Sequence, residues 1–78
     1  MVKFIYKKKA LKFLRKQNKT NQERLLAAIY QLPKGDVRPL SGREPLKRLR
    51  VGNFRIIFDD KGNIIDIIDI GNRGDVYK

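Results

Sequence analysis

Residues 48 to 58 read RLRVGNFRIIF, and the fold turns on how this stretch is placed. Gly52-Asn53 suits a tight two-residue hairpin turn, because glycine and asparagine accept the positive φ angles that such turns require. With those two residues at the turn, Val51 lies opposite Phe54, Arg50 opposite Arg55 and Leu49 opposite Ile56. Side chains on a strand alternate between its two faces, so Leu49, Val51, Phe54, Ile56 and Phe58 share one side while Arg48, Arg50 and Arg55 share the other. The apolar side calls for a covering layer. The other side gathers three guanidinium groups, and directly opposed like charges are unfavourable where an opposite pair would gain about 0.2 to 1 kcal/mol. Solubility alone does not require this, since Glu or Thr opposite Arg55 would solubilise as well and stabilise the pair. The cluster therefore predicts an external anion that completes it.

Outward from the hairpin, the covering layer is found upstream. Phe4, Ile5 and Tyr6 suit a short first strand, and Ala10, Leu11, Phe13 and Leu14 recur at helical spacing, which predicts a helix over about residues 8 to 17. Thr20 followed by Glu23 fits a capping box ahead of Leu25, Leu26, Ala28, Ile29 and Leu32, and Pro33-Lys34-Gly35 stops that second helix. From Asp36 to Pro45, two prolines, a glycine and no apolar periodicity predict a loop. After the hairpin, residues 59 to 63 (DDKGN) turn the chain again into Ile64–Ile70, a strand of five isoleucines interrupted by Asp66 and Asp69 and expected at the centre of the sheet. The prediction is one α+β domain, residues 1 to 78, with an N-terminal helical hairpin packed on one face of a small, mainly antiparallel, twisted β-sheet.

The composition excludes several kinds of chemistry. There is no cysteine and no histidine, so disulfides, thiol nucleophiles and the usual transition-metal ligands are missing; no metal site and no cofactor are expected. The N-terminal residues lack the apolar core of a signal peptide, and no apolar run approaches the roughly 18 residues of a membrane span, so the expectation is a cytoplasmic protein with no membrane partner. Nineteen Lys and Arg against eight Asp and Glu give a formal charge of +11, which points to polyanionic partners. Residues 1 to 35 carry ten basic and one acidic side chain, whereas residues 36 to 78 carry nine and seven. In the second part, where the basic groups point matters more than their number.

The segments LKRLRVGNFRIIF and IIDIGNRGDVYK, in this order and spacing, resemble the RelE branch of the RelE/ParE toxin superfamily, and the resemblance extends over nearly the whole chain. It implies a RelE-like fold and a cytoplasmic toxin of a toxin-antitoxin pair. Such a toxin inhibits translation as a metal-independent, ribosome-dependent mRNA endoribonuclease and is neutralised by a cognate antitoxin through an acidic or amphipathic segment. Position by position, the resemblance implies that Arg55 contacts the scissile phosphate, that Arg73 and the terminal Tyr77 belong to the catalytic set, and that Arg48 takes the basic position on the preceding strand, with Lys47 able to share it. Asn72 stands where many relatives carry a histidine or lysine, so no acid-base role follows for that position.

The residues suit RNA cleavage by the RNA's own 2′-hydroxyl, which would leave a 2′,3′-cyclic phosphate and a 5′-hydroxyl. Arg48, Arg55 and Arg73 would stabilise transition-state charge, worth a few kcal/mol per donor. Arginine stays protonated up to about pH 12 and is no general base. Tyr77 would take the 2′-hydroxyl proton or stack on a base. Arg50 on the hairpin and Lys7, Lys8, Lys9 and Lys12 at the start of the chain are candidate RNA or rRNA contacts. The bland alternatives are a solvated helix face for these lysines, a salt bridge from Arg73 to Asp69 or Asp75, and strand-face or arginine-partner roles for Asp66 and Asp69. The rival functions are a ParE-like inhibitor of DNA gyrase and a catalytically silent relative that binds RNA or antitoxin.

Overall fold

The structure, a computed structural model, describes residues 2 to 72. Its centre is the predicted hairpin, formed by strands β3 (Lys47–Val51) and β4 (Phe54–Asp60), with Arg50 opposite Arg55 and Val51 opposite Phe54. Gly52 takes φ +58° while, among the described residues, no non-glycine has positive φ, the pattern of a type II′ turn with glycine leading. A Cβ at Gly52 would lie 2.7 Å from Nη2 of Arg24, so that flexible guanidinium would have to move aside, and the demand for glycine comes chiefly from φ.

Strand β5 (Ile64–Asn72) runs antiparallel to β4, and β1 (Lys3–Tyr6) adds in parallel along its other side. Strand β2 (Asp36–Pro39) pairs antiparallel with β3, which gives one sheet in the order β1-β5-β4-β3-β2. β5 is interior, as expected, with β4 in the middle. Ile57 is opposite Asp69 but Phe58 is opposite Ile67, so one extra residue, Ile68, is inserted in β5. This bulge explains the spacing of the isoleucines. Ile65 and Ile67 alternate onto the core side, and the shift returns Ile70 to that side as well.

Helices α1 (Lys8–Arg15) and α2 (Lys19–Tyr30) cover the apolar face. Ala10, Leu14, Leu25 and Ile29 are buried in one cluster with Leu49, Ile56, Phe58, Ile65, Ile67 and Ile70. Phe13 of α1 meets Phe54 edge-on at 6.0 Å between ring centroids. Among the described residues, no helix is long and apolar enough to cross a membrane.

Three local expectations are corrected. The second helix is capped not at Thr20 but at Asn18, whose Oδ1 accepts the Asn21 backbone N–H at 2.8 Å, so Thr20 and Glu23 sit inside the helix. The first helix stops at Arg15. The loop expected from Asp36 onward begins as β2, because pairing with β3 satisfies a short segment of which only Val37 turns to the core; the edge position tolerates Pro39. From there the chain folds back over the second face of the sheet. Leu40 donates its N–H to the Leu46 carbonyl at 3.0 Å, and Leu40 and Ile57 form a small buried cluster flanked by Leu46 and Ile68. That face is therefore partly covered, because Ile57 and the bulged Ile68 need shelter from water.

Candidate nucleic-acid interface

The second face carries arginines on three adjacent strands. One cross-strand row holds Asp36 on β2, Arg50 on β3 and Arg55 on β4; the next holds Arg38, Arg48 and Ile57. The placement follows from alternation alone, since Val37, Leu49, Phe54 and Ile56 occupy the intervening positions and turn to the helices. Arg38 was not among the residues anticipated from sequence, because it lies in a segment read as loop. The alternation of Asp36, Val37 and Arg38 was the available sign, short as it is.

These four arginines are not equivalent. Arg55 sits on the middle strand and is 7% exposed; its Nε and Nη1 are buried with no hydrogen-bond partner among the described residues. A guanidinium cannot relieve burial by losing its proton, so the unsatisfied donors carry a desolvation penalty that an anion would remove. Arg48, whose side chain is 15% exposed, has partners: Nη1 donates to the Asp36 carbonyl at 3.4 Å and lies 3.8 Å from Asp36 Oδ1. Arg38 Nε is 4.0 Å from that same oxygen and the side chain is largely exposed. Arg50 is exposed opposite Arg55. The face thus holds one buried fork with no carboxylate partner among the described residues, one exposed neighbour, and two arginines sharing a single half-exposed carboxylate. Chemically it suits a phosphodiester, whose oxygens accept paired N–H donors from such forks.

The other candidates do not converge there. Lys47 has the parity of Leu49 and lies opposite the buried Phe58, on the helix side of the sheet. Lys7 caps α1 and Lys8, Lys9 and Lys12 lie on it, in the layer that covers the opposite face. Lys9 Nζ is 3.3 Å from Asp69 Oδ2, and Lys61 Nζ is 2.9 Å from Asp66 Oδ2, so both carboxylates, read from sequence as strand-face residues or arginine partners, pair with lysines. The hydrogen bond from Lys61 holds the Asp66 carboxyl below the usual carboxylate range and Lys61 above the usual lysine value. Arg73 and Tyr77 lie outside the described residues, as does the ion pair considered for Arg73. Among the described residues, no group of three or more Asp, Glu, His or Cys gathers in a way that could hold a metal ion.

Residues 4–77 match the family model described as the ParE toxin of the type II toxin-antitoxin system parDE. No curated protein sequence matches the chain. Solved structures do. A chain of the RelB-RelE antitoxin-toxin complex from Methanococcus jannaschii superposes with a TM-score of 0.76 at 22% identity, covering 94% of this chain and 94% of that one. A chain of the archaeal RelE-RelB complex from Pyrococcus horikoshii OT3 gives 0.70 at 26% identity, covering 95% and 97%. The isolated E. coli RelE toxin gives 0.71 at 22% identity, covering 99% and 92%. With a family model matched over nearly its whole length and the same α+β architecture in RelE-type structures, this chain belongs to the RelE/ParE superfamily of type II toxin-antitoxin toxins.

Proposed function

We propose that this chain inhibits translation by cutting mRNA on the ribosome without a metal ion, and that a cognate antitoxin with an acidic or amphipathic segment neutralises it in the cytoplasm. The observation that carries this reading is Arg55, a buried guanidinium on the middle strand with two donor nitrogens unpartnered among the described residues. Its exposed neighbour Arg50 stands directly opposite. The RelB-RelE complexes among its structural relatives support an antitoxin partner.

In the proposed step the 2′-oxygen of the RNA attacks the adjacent phosphorus and the bond from phosphorus to the 5′-oxygen breaks. The products are a 2′,3′-cyclic phosphate and, once the departing 5′-oxygen takes a proton from water, a 5′-hydroxyl. Negative charge grows on the non-bridging oxygens, and Arg55 meets it with a fixed fork whose desolvation is complete before substrate arrives. Arg48 and, by resemblance, Arg73 add positive charge. The proton leaving the 2′-hydroxyl needs a base other than arginine. Tyr77 fills that role by resemblance, with stacking on a base as its alternative.

A second reading has an observation of its own, since the matching family model is described for a ParE toxin. In that reading the same basic face engages DNA gyrase and RNA stays intact. Cell-free translation with purified protein, followed by mapping of mRNA ends, separates the two. New ends in codons at the ribosomal A site are expected. Intact mRNA on A-site-loaded ribosomes overturns the nuclease reading, and inhibition of supercoiling with intact mRNA establishes the rival.

A further inference from the structure

We infer that the arginine face binds two successive phosphates of one RNA strand, the first at Arg55 and Arg50 and the second at Arg38 and Arg48, where Asp36 holds the place of the anion in the free protein. The substrate class rests on the nuclease reading above; the second phosphate subsite and the roles of Arg38 and Asp36 are additional to it.

The spacing of the arginines favours two sites over one. Arg55, Arg48 and Arg38 stand on β4, β3 and β2, and neighbouring strands lie about 4.8 Å apart, so the cluster extends about 10 Å across the sheet. One phosphate held between Arg55 and Arg50 lies on the β4–β3 side of that span and leaves Arg38 without a role. The two pairs sit one strand spacing apart, about 5 Å, and one row apart along the strands, about 7 Å, so their midpoints are separated by about 8 Å, close to one nucleotide step along an extended strand.

Pairing supports the same division. Arg55 has no ion-pair partner among the described residues, whereas Arg38 and Arg48 converge on one oxygen, Asp36 Oδ1, at 4.0 and 3.8 Å. Two guanidinium groups around one anionic oxygen form a phosphate-like arrangement. Both ion pairs are long, and the Asp36 side chain is half exposed, so a phosphate offering closer oxygens can displace it. The Asp36 carbonyl keeps its contact to Arg48 Nη1 at 3.4 Å and so holds that arginine for the incoming group.

Residue type favours a phosphate backbone over an acidic protein segment. All four cations of the two cross-strand rows are arginines, the side chain whose planar fork matches phosphate oxygens. The first helix and its cap, by contrast, carry Lys7, Lys8, Lys9, Lys12 and Lys16 with Arg15 alone.

The test uses 3′-labelled 2′-O-methyl RNA, which cannot be cut, as a pentanucleotide and as a dinucleotide with one phosphate. Binding is measured by fluorescence anisotropy over a range of salt. Arg38→Ala is expected to weaken the pentanucleotide about five- to tenfold and to lower the slope of log K against log salt by about 0.7, the share of one phosphate on a single strand, while the dinucleotide is unaffected. Asp36→Asn is expected to tighten the pentanucleotide several-fold. Unchanged pentanucleotide binding in Arg38→Ala, equal loss for the dinucleotide, or weaker binding in Asp36→Asn overturns the inference. So does a penta-glutamate peptide that binds as tightly and depends equally on Arg38, which would assign the subsite to an acidic protein partner. Two-phosphate binding together with uncut ribosomal mRNA would remove only the nuclease reading. Cleavage with an indifferent Arg38 would remove only the second subsite.

Discussion

A buried arginine with unpaired donors normally destabilises the protein that carries it, and Arg55 stands within the buried run of the middle strand, Phe54 to Phe58. Removing it should therefore separate function from folding. Arg55→Ala is expected to lower the cleavage rate on ribosomes by about 10²- to 10³-fold, the usual loss for one transition-state donor, with a thermal midpoint no lower than that of the parent. Arg55→Lys should not restore the rate, because lysine carries charge without the fork. Mapped mRNA ends and thermal unfolding followed by circular dichroism check the two halves. Tyr6 gives a comparison with no functional component. Its hydroxyl is buried without a partner among the described residues, and burial pushes its pKa up, so Tyr6→Phe is expected to leave stability unchanged or raise it by up to about 1 kcal/mol in denaturant unfolding. The face on which Arg55 stands was legible from alternation around Gly52-Asn53. Its lack of a carboxylate partner among the described residues was not, because that depends on which carboxylates the tertiary structure brings near, and Asp66 and Asp69 find lysines instead.

Elements were legible where pattern and punctuation agreed. The hairpin register followed from its two turn residues, and five isoleucines identified β5, whereas β2 was missed because four residues with one inward Val37 owe their extended form to β3 rather than to their own sequence. The misplaced start of α2 has a local cause: Asn18 caps two residues before Thr20, and both are competent. The hairpin turn predicts its own sensitivity. Gly52→Ala imposes a side chain at φ +58° and places a Cβ 2.7 Å from the Arg24 guanidinium, so a loss of about 1 to 2 kcal/mol is expected in denaturant unfolding. At the opposite end of β4, Asp59 and Asp66 face each other and Lys61 lies between them, at 4.0 and 2.9 Å. Asp66 is held below its ordinary value, so its contribution to stability is complete above about pH 4 and lost as pH falls through the lowered folded value. Lys61 is raised, so its contribution is complete below about pH 10 and lost as pH rises through the raised folded value. Asp66→Asn should accordingly lower the thermal midpoint across the neutral range, with the variant and parent curves converging at strongly acid pH. A constant difference down to pH 2 would deny the pair its role.

For the molecule as a whole, the formal charge of +11 is sorted by residue type and by face. Lysines dominate the first helix and its cap, on the side of the sheet that holds the core, while arginines cluster on the other side across β2, β3 and β4. Composition foretold the excess and its bias toward the first 35 residues, but not this separation, which arises only when the sheet places the helices on one face. The two kinds of charge suit different tasks. Exposed lysines act as hydrated point charges that raise encounter rates with a polyanion and are strongly screened by salt, whereas a buried guanidinium acts only after contact and is screened far less. The double variant Lys8→Glu/Lys12→Glu therefore should lower kcat/KM for ribosome-bound mRNA by about tenfold at low salt, with the deficit shrinking as salt rises toward 0.5 M and kcat at saturation preserved. Lys9 is left in place because it pairs with Asp69 and its loss would confound stability. Arg55→Ala should show the complementary pattern, a loss in kcat that salt does not narrow. Single-turnover cleavage across a salt series distinguishes them, and equal salt dependence of both variants would mean that the two faces do not divide the work of approach and chemistry.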